Sequence, residues 1–260
     1  MRDHTFCMQL RVARAAVVTA VAIWAVAIWA VAIWAVAILT GGLLHAQNAV
    51  PTAANGETLS SMTRLRDNFI DRARTAGFSC TLAAPTIVVE DVPSFGQYQP
   101  ETNTLRTSDW GLANPQEKAM FMQLAGPGAD EARAHQLFEI AAHRWIFVHE
   151  LGHWWQACTG GNAKRSHYEV ELGANRVSLS YWREVDPTVV ETMMPVFQGV
   201  VAHAPSPVPA GQSMESYFNA NYETLGPSPA YPWFMSRMNV AAFEEKPAPA
   251  FAAVLAAIKQ

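Results

Sequence analysis

Two histidines four residues apart, with a glutamate beside the first, are the residues of this chain best suited to chemistry: His149-Glu150-Leu151-Gly152-His153. On a helix, positions i and i+4 share a face, so both imidazoles can reach one metal ion. Zinc is the ion this donor type and spacing point to, at about 2.0–2.1 Å from each nitrogen. Glu150 is the next residue round the helix, where it can hold a water without ligating the metal. Zinc lowers the pKa of such a water towards about 7, and a carboxylate can take its proton as it attacks a carbonyl. The chemistry on offer is hydrolysis, with Glu150 as general base.

The flanks agree. Ile146, Phe147, Val148, Leu151, Trp154 and Trp155 are apolar, and Glu150 is the one charged residue between Arg144 and Lys164. A carboxylate in so apolar a helix needs a partner or a task. Gly152 removes a side chain where another helix could pack closely. Catalytic zinc normally takes a third protein ligand. The extended pattern HExxHxxGxxH does not supply it, because Gln156 stands at the glycine position and Thr159 at the third histidine. Further along the chain stands Glu169-Val170-Glu171-Leu172-Gly173-Ala174-Asn175.

The pair of motifs, His149-Glu150-Leu151-Gly152-His153 and Glu171-Leu172-Gly173-Ala174-Asn175, resembles the gluzincin metallopeptidases, and its short form is similar to the zinc peptidases of the ImmA/IrrE type. The likeness covers residues 145–182. It implies a zincin-like fold and makes Glu171 the third zinc ligand. It also makes Asn175 the residue that orients a ligand histidine. Helix geometry prefers Glu171 to Glu169: the two lie about 200° apart, so one alone can face the metal. Glu171 shares its face with Ala174, Asn175 and Ser178, and Glu169 reads as a solvated charge. His167 is a rival ligand at the helix start. His143, six residues before His149, is off the ligand face and reads as structural. His203, Tyr217 and Tyr222 are candidates for a donor to the reacting oxyanion.

These residues need elements to hold them. Apolar spacing predicts a helix from about Leu59 to Ala76, ended by Gly77. Pro85–Glu90 reads as a strand, and Phe95–Tyr98 and Asn103–Ser108 as two more around a Pro100–Asn103 turn. A small antiparallel sheet is expected, with Asn103–Ser108 as an edge strand that could receive a peptide by strand addition. One long helix is expected from about Glu131 to Ala157, then helices from about Tyr168 to Arg183 and on to about Ala202. Residues 213–224 and 247–259 also read as helical. The fold class is therefore α+β: a small antiparallel sheet followed by a mainly helical, zincin-like domain.

The 260-residue chain carries a formal net charge of −4, with no basic stripe, which speaks against nucleic acid as a partner. Its N-terminus stands apart. Arg2, Arg11 and Arg14 precede an uncharged run from Ala15 to Leu44, in which Ala-Val-Ala-Ile-Trp repeats in tandem. A five-residue period advances about 140° per copy, so Trp24, Trp29 and Trp34 define no helix face. Residues 1–46 read either as a signal peptide cleaved after Ala46 or as a membrane anchor through residues 15–39. Both put the rest of the chain outside the cytoplasm and argue against a cytosolic regulator. Residues 47–57 read as a linker and 58–260 as one domain. Cys7 goes with the leader, leaving Cys80 and Cys158 either as a disulfide or as two buried thiols.

The expected function is an extracytoplasmic zinc peptidase acting on a peptide or protein substrate. A zinc-stabilised binding or scaffold module without turnover is the alternative.

Overall fold

The computed structural model describes residues 53–259, apart from 161, 163 and 227. Residues 1–46, read as a cleaved signal peptide or a membrane anchor, lie outside the described residues, as do residues 47–52 of the expected linker. Among the described residues no helix is long and apolar enough to cross a membrane. The helices and strands all lie in one compact unit of the chain.

Helix α1 (Ala53–Thr75) begins six residues before the expected start, inside the stretch read as a linker. It buries Met62, Phe69 and Ala73. Strands β1 (Thr86–Val89), β2 (Gly96–Gln99) and β3 (Thr104–Thr107) come next. They form a sheet in the order β1-β3-β2. The fold class is α+β, as expected, but the sheet is mixed rather than antiparallel. β2 and β3 form the hairpin, Gly96 opposite Thr107, whereas β1 runs parallel to β3, Ile87 opposite Leu105. The chain reverses at Pro93–Phe95 and again at Pro100–Asn103, so β1 and β3 point the same way. Because β3 is paired on both sides, it is the central strand, and the expectation that it forms an edge is wrong. The free edge beside the helices belongs to β2.

Helix α2 (Pro115–Leu124) is not among the helices that periodicity predicts, although its start is written locally. Asn114 caps it, Pro115 opens it and Glu117 closes a capping box back to the Asn114 N–H. The long helix expected from Glu131 exists as a continuous rod of three parts. These are α3 (Glu131–Phe138), a π-helical segment (Glu139–Ile146) and α4 (Phe147–Thr159). Two side chains of α5 (His167–Val185) bond to carbonyls near the junction: the Trp182 indole donates to the Arg144 carbonyl at 3.2 Å, and the Ser178 hydroxyl to the Trp145 carbonyl at 2.9 Å.

Helix α5 starts at a Ser166/Glu169 capping box, which explains Glu169 as a helix-start charge on the surface. Helices α6 (Pro187–His203), α7 (Met214–Leu225), α8 (Tyr231–Glu244) and α9 (Phe251–Lys259) complete the chain. Helix α8 is not among the expected helices. Helix α5 is the hub, packing on α4, α6, α7, α8 and α9. Its Val177 and Tyr181 are fully buried in a core with Phe69, Phe138, Trp145, Trp154 and Trp155. A separate small core of Phe218, Leu225, Phe234 and Met238 joins α7 to α8. Cys80 and Cys158 form a disulfide that links the segment after α1 to the end of α4 across 78 residues. Closing a loop of that length stabilises by about 4.5 kcal/mol in the chain-entropy picture.

Candidate metal centre

The centre lies where α4 crosses α5. The crossing is close because position 152 has no side chain: a Cβ there would sit 3.0 Å from the Ala174 Cα and 3.3 Å from its Cβ. Glycine on one helix and alanine on the other bring the ligand faces together. His149 Nε2 and His153 Nε2 are 3.0 Å apart. Glu171 Oε2 lies 3.3 Å from the first and 3.5 Å from the second. Among the described residues these three side chains form the one His/Cys/Asp/Glu cluster able to hold a metal ion, their donor atoms all within 4.8 Å of one another. His167 is outside it, stacked on the Tyr222 ring at 3.9 Å and 5°.

Hydrogen bonding decides where the histidine protons are. His149 Nδ1 is 3.0 Å from the Asn175 side-chain oxygen, so Nδ1 donates there. His153 Nδ1 is 2.9 Å from the Gln156 side-chain oxygen and donates likewise. With both protons on Nδ1, both Nε2 atoms turn lone pairs towards each other and towards a carboxylate oxygen. Glu171 Oε2 is buried and takes no hydrogen bond among the described residues. Three donors around one point, one of them a buried carboxylate oxygen, could hold a cation between them. The donor set, two imidazoles and a carboxylate, fits zinc.

Without metal, a proton fills the role. Burial disfavours a charged His153, but the Glu171 carboxylate outweighs burial, aided by Glu150 and Gln156, and the imidazole is pushed up to about 9. Burial would raise Glu171; the neighbouring His153 and His149 instead hold it well below the usual carboxylate range.

Glu150 lies beside the cluster, nearly buried. The Tyr98 backbone N–H, on the free edge of β2, donates to its Oε2 at 2.8 Å. β2 can come this near because of Gly96, where a Cβ would lie 2.6 Å from Ile146 Cγ2 and 3.4 Å from Glu150 Cγ.

Two phenols stand beside Glu171. The Tyr222 hydroxyl donates to Glu171 Oε1 at 3.1 Å. Its pKa is raised, first by burial and then by the Glu171 charge, and Tyr231 is raised for the same reasons in the same order. Of the donors expected near the site, Tyr222 alone is at the cluster. His203 is exposed and bonds the Gly199 carbonyl, and Tyr217 stacks on Phe234 in the small core.

Sequence reasoning misses Tyr231 and Gln156. Tyr231-Pro232 opens α8, and a proline in a first turn is the available signal. In the sequence Gln156 registers only as the residue that breaks a longer motif. The chain matches no protein-family model, no curated protein and no solved structure.

Proposed function

We propose that this chain is an extracytoplasmic zinc-dependent peptidase of gluzincin type and zincin-like fold, with His149, His153 and Glu171 as metal ligands and Glu150 as general base. One observation carries the reading: two imidazole lone pairs and an unpaired, buried carboxylate oxygen converge beside a fourth group, Glu150, that does not ligate. A purely structural cluster has no use for that second carboxylate.

Zinc, when bound, supplies Lewis acidity towards a water and a carbonyl oxygen. The rest falls to the chain. Asn175 and Gln156 hold the two imidazoles with Nε2 inward. The Tyr98 N–H fixes one oxygen of Glu150, leaving the other to accept a proton from water and return it to the leaving amine. Tyr222 and Tyr231 supply hydroxyls beside the Glu171 carboxylate. The same edge of β2 offers backbone groups that could align an extended peptide across the site.

A zinc-stabilised module without turnover is the competing reading. The burial of His149, Glu150 and Glu171 favours it, since an open position for water is what a catalytic site keeps. The deciding experiment is metal analysis of the purified chain, then peptide-library cleavage with the unaltered chain and with Glu150→Gln. The peptidase reading requires one zinc in both proteins and cleavage only in the first. Zinc in both with no cleavage in either supports the scaffold; cleavage that survives Glu150→Gln removes the mechanism.

A further inference from the structure

We infer that Gln156 is the positioning residue of the metal centre, coupling the two ligand-bearing helices through a single amide; this rests on the proposal that the cluster holds zinc. Gln156 is completely buried, in a core where an amide is costly unless both ends are bonded. Both ends are. Its Nε2 donates to the Val170 carbonyl at 2.7 Å, and because a carbonyl can only accept, the amide cannot be turned round. Its Oε1 therefore faces His153 Nδ1, at 2.9 Å, and must accept from it. One end thus sets the protonation of a ligand on α4, three residues back. The other grips α5 at the residue before Glu171, the ligand that α5 contributes.

The other orienting amide is built differently. Asn175 reaches across from α5 to His149, but among the described residues its own nitrogen meets only the Met238 sulfur, at 4.0 Å. It orients one imidazole without a firm second anchor. Gln156 ties His153 to the backbone beside Glu171, so a slide of α5 along α4 cannot separate the two ligands without breaking a buried bond. The fold makes room for this amide: a Cβ at position 173 would lie 2.9 Å from Gln156 Nε2. The residue that breaks the longer histidine motif is the one that fastens the shorter one.

The test uses the full chain and zinc ion alone, with affinity measured by competition against a chromophoric chelator and the imidazole N–H groups monitored in 15N-histidine-labelled protein. Gln156→Met keeps the length and apolar bulk of the side chain and removes both bonds. It should weaken zinc binding about 10- to 100-fold. It should also release the His153 Nδ1–H to solvent exchange, while the His149 Nδ1–H stays protected by Asn175. Gly173→Ala leaves Gln156 in place and presses on its nitrogen; it should shift the same two readouts in the same direction by less. Zinc affinity within twofold of the unaltered chain in Gln156→Met, or loss of both imidazole N–H signals together, would overturn the assignment. If Gln156→Met does not fold, an unchanged His153 N–H and an unchanged affinity in Gly173→Ala overturn it instead. If the unaltered chain takes up no zinc, the metal reading fails by itself. The His153 N–H of the metal-free protein then still decides whether Gln156 holds that imidazole.

Discussion

His143 and the His149/His153 pair sit on the same continuous helix, six and ten residues apart, in surroundings that ask opposite things of an imidazole. His143 Nδ1 is 2.8 Å from Glu139 Oε2 and its Nε2 is 2.7 Å from the Ser108 carbonyl oxygen. Both nitrogens face acceptors, so both must carry protons, and the buried ring is itself the cation. His135 bonds the same Glu139 from the turn before and stacks on Trp110, and Asp109 adds a further negative charge nearby. At the pair, each ring has one acceptor and turns its other nitrogen to a shared point with Glu171, where either a proton on His153 or a bound cation can meet the carboxylate charge. The difference lies in the second nitrogen: that of His143 has a backbone carbonyl to itself, whereas those of His149 and His153 converge on each other and on one shared carboxylate oxygen. His143 is a fastener that ties the end of β3 to the π-helical segment, just ahead of the ligands.

The largest way to test this contrast is by substitution at the pair. His153→Ala should abolish zinc uptake, and Glu150→Gln should keep the zinc and lower kcat about 10^2- to 10^4-fold; both are read by metal content and peptide turnover. His143→Ala should leave the zinc content unchanged, and loss of zinc there would erase the distinction between the two sites.

Chelation comes next. With zinc at about a thousand times its Kd, its removal should cost about 4 kcal/mol, seen as a fall in Tm on the order of 10 °C. The same chelator should have no such effect on His153→Ala.

His143→Leu should cost less, about 1–3 kcal/mol, because it leaves the Ser108 carbonyl without its donor and takes one of two donors from Glu139. Denaturant unfolding with and without chelator would show that loss to be independent of metal.

The smallest effect is in pH. Burial would lower the His143 pKa, but Glu139 and the Ser108 carbonyl outweigh it and the group stands above its ordinary 6.5. Its contribution to stability is full below 6.5 and is lost as pH rises through the raised value. Glu139 is held below its ordinary 4.5, so its share is present above 4.5 and lost as pH falls through the lowered value. The fastener is therefore strongest between about 4.5 and 6.5. His143→Gln should flatten the alkaline side of the stability–pH curve, and an unchanged curve would show that the ring is not charged in the folded state.

Much of the centre is legible in the sequence because its rules are short in range. The i, i+4 spacing of His149 and His153, the face shared by Glu171, Ala174 and Asn175, and the missing side chain at Gly152 derive from 3.6 residues per turn. The caps of α2 and α5 are equally local, though apolar periodicity alone passes over Asn114-Pro115-Gln116-Glu117. The sheet is harder to read because pairing is a matter of parity: two reversals send β1 alongside β3, and no pattern within either strand records that.

By itself, then, the sequence determined which residues can ligate, which helices carry them and that the two helices could meet closely, since each depends on neighbours within a turn or two. Tertiary structure alone decided the rest. It set the Glu150 carboxylate against the Tyr98 N–H, 52 residues away, Tyr222 on Glu171 across 51, and the Gln156 amide between His153 and Val170. These contacts are set by how helices cross and where a strand edge falls. Such distances depend on the packing of the whole core, and no stretch of residues encodes them on its own.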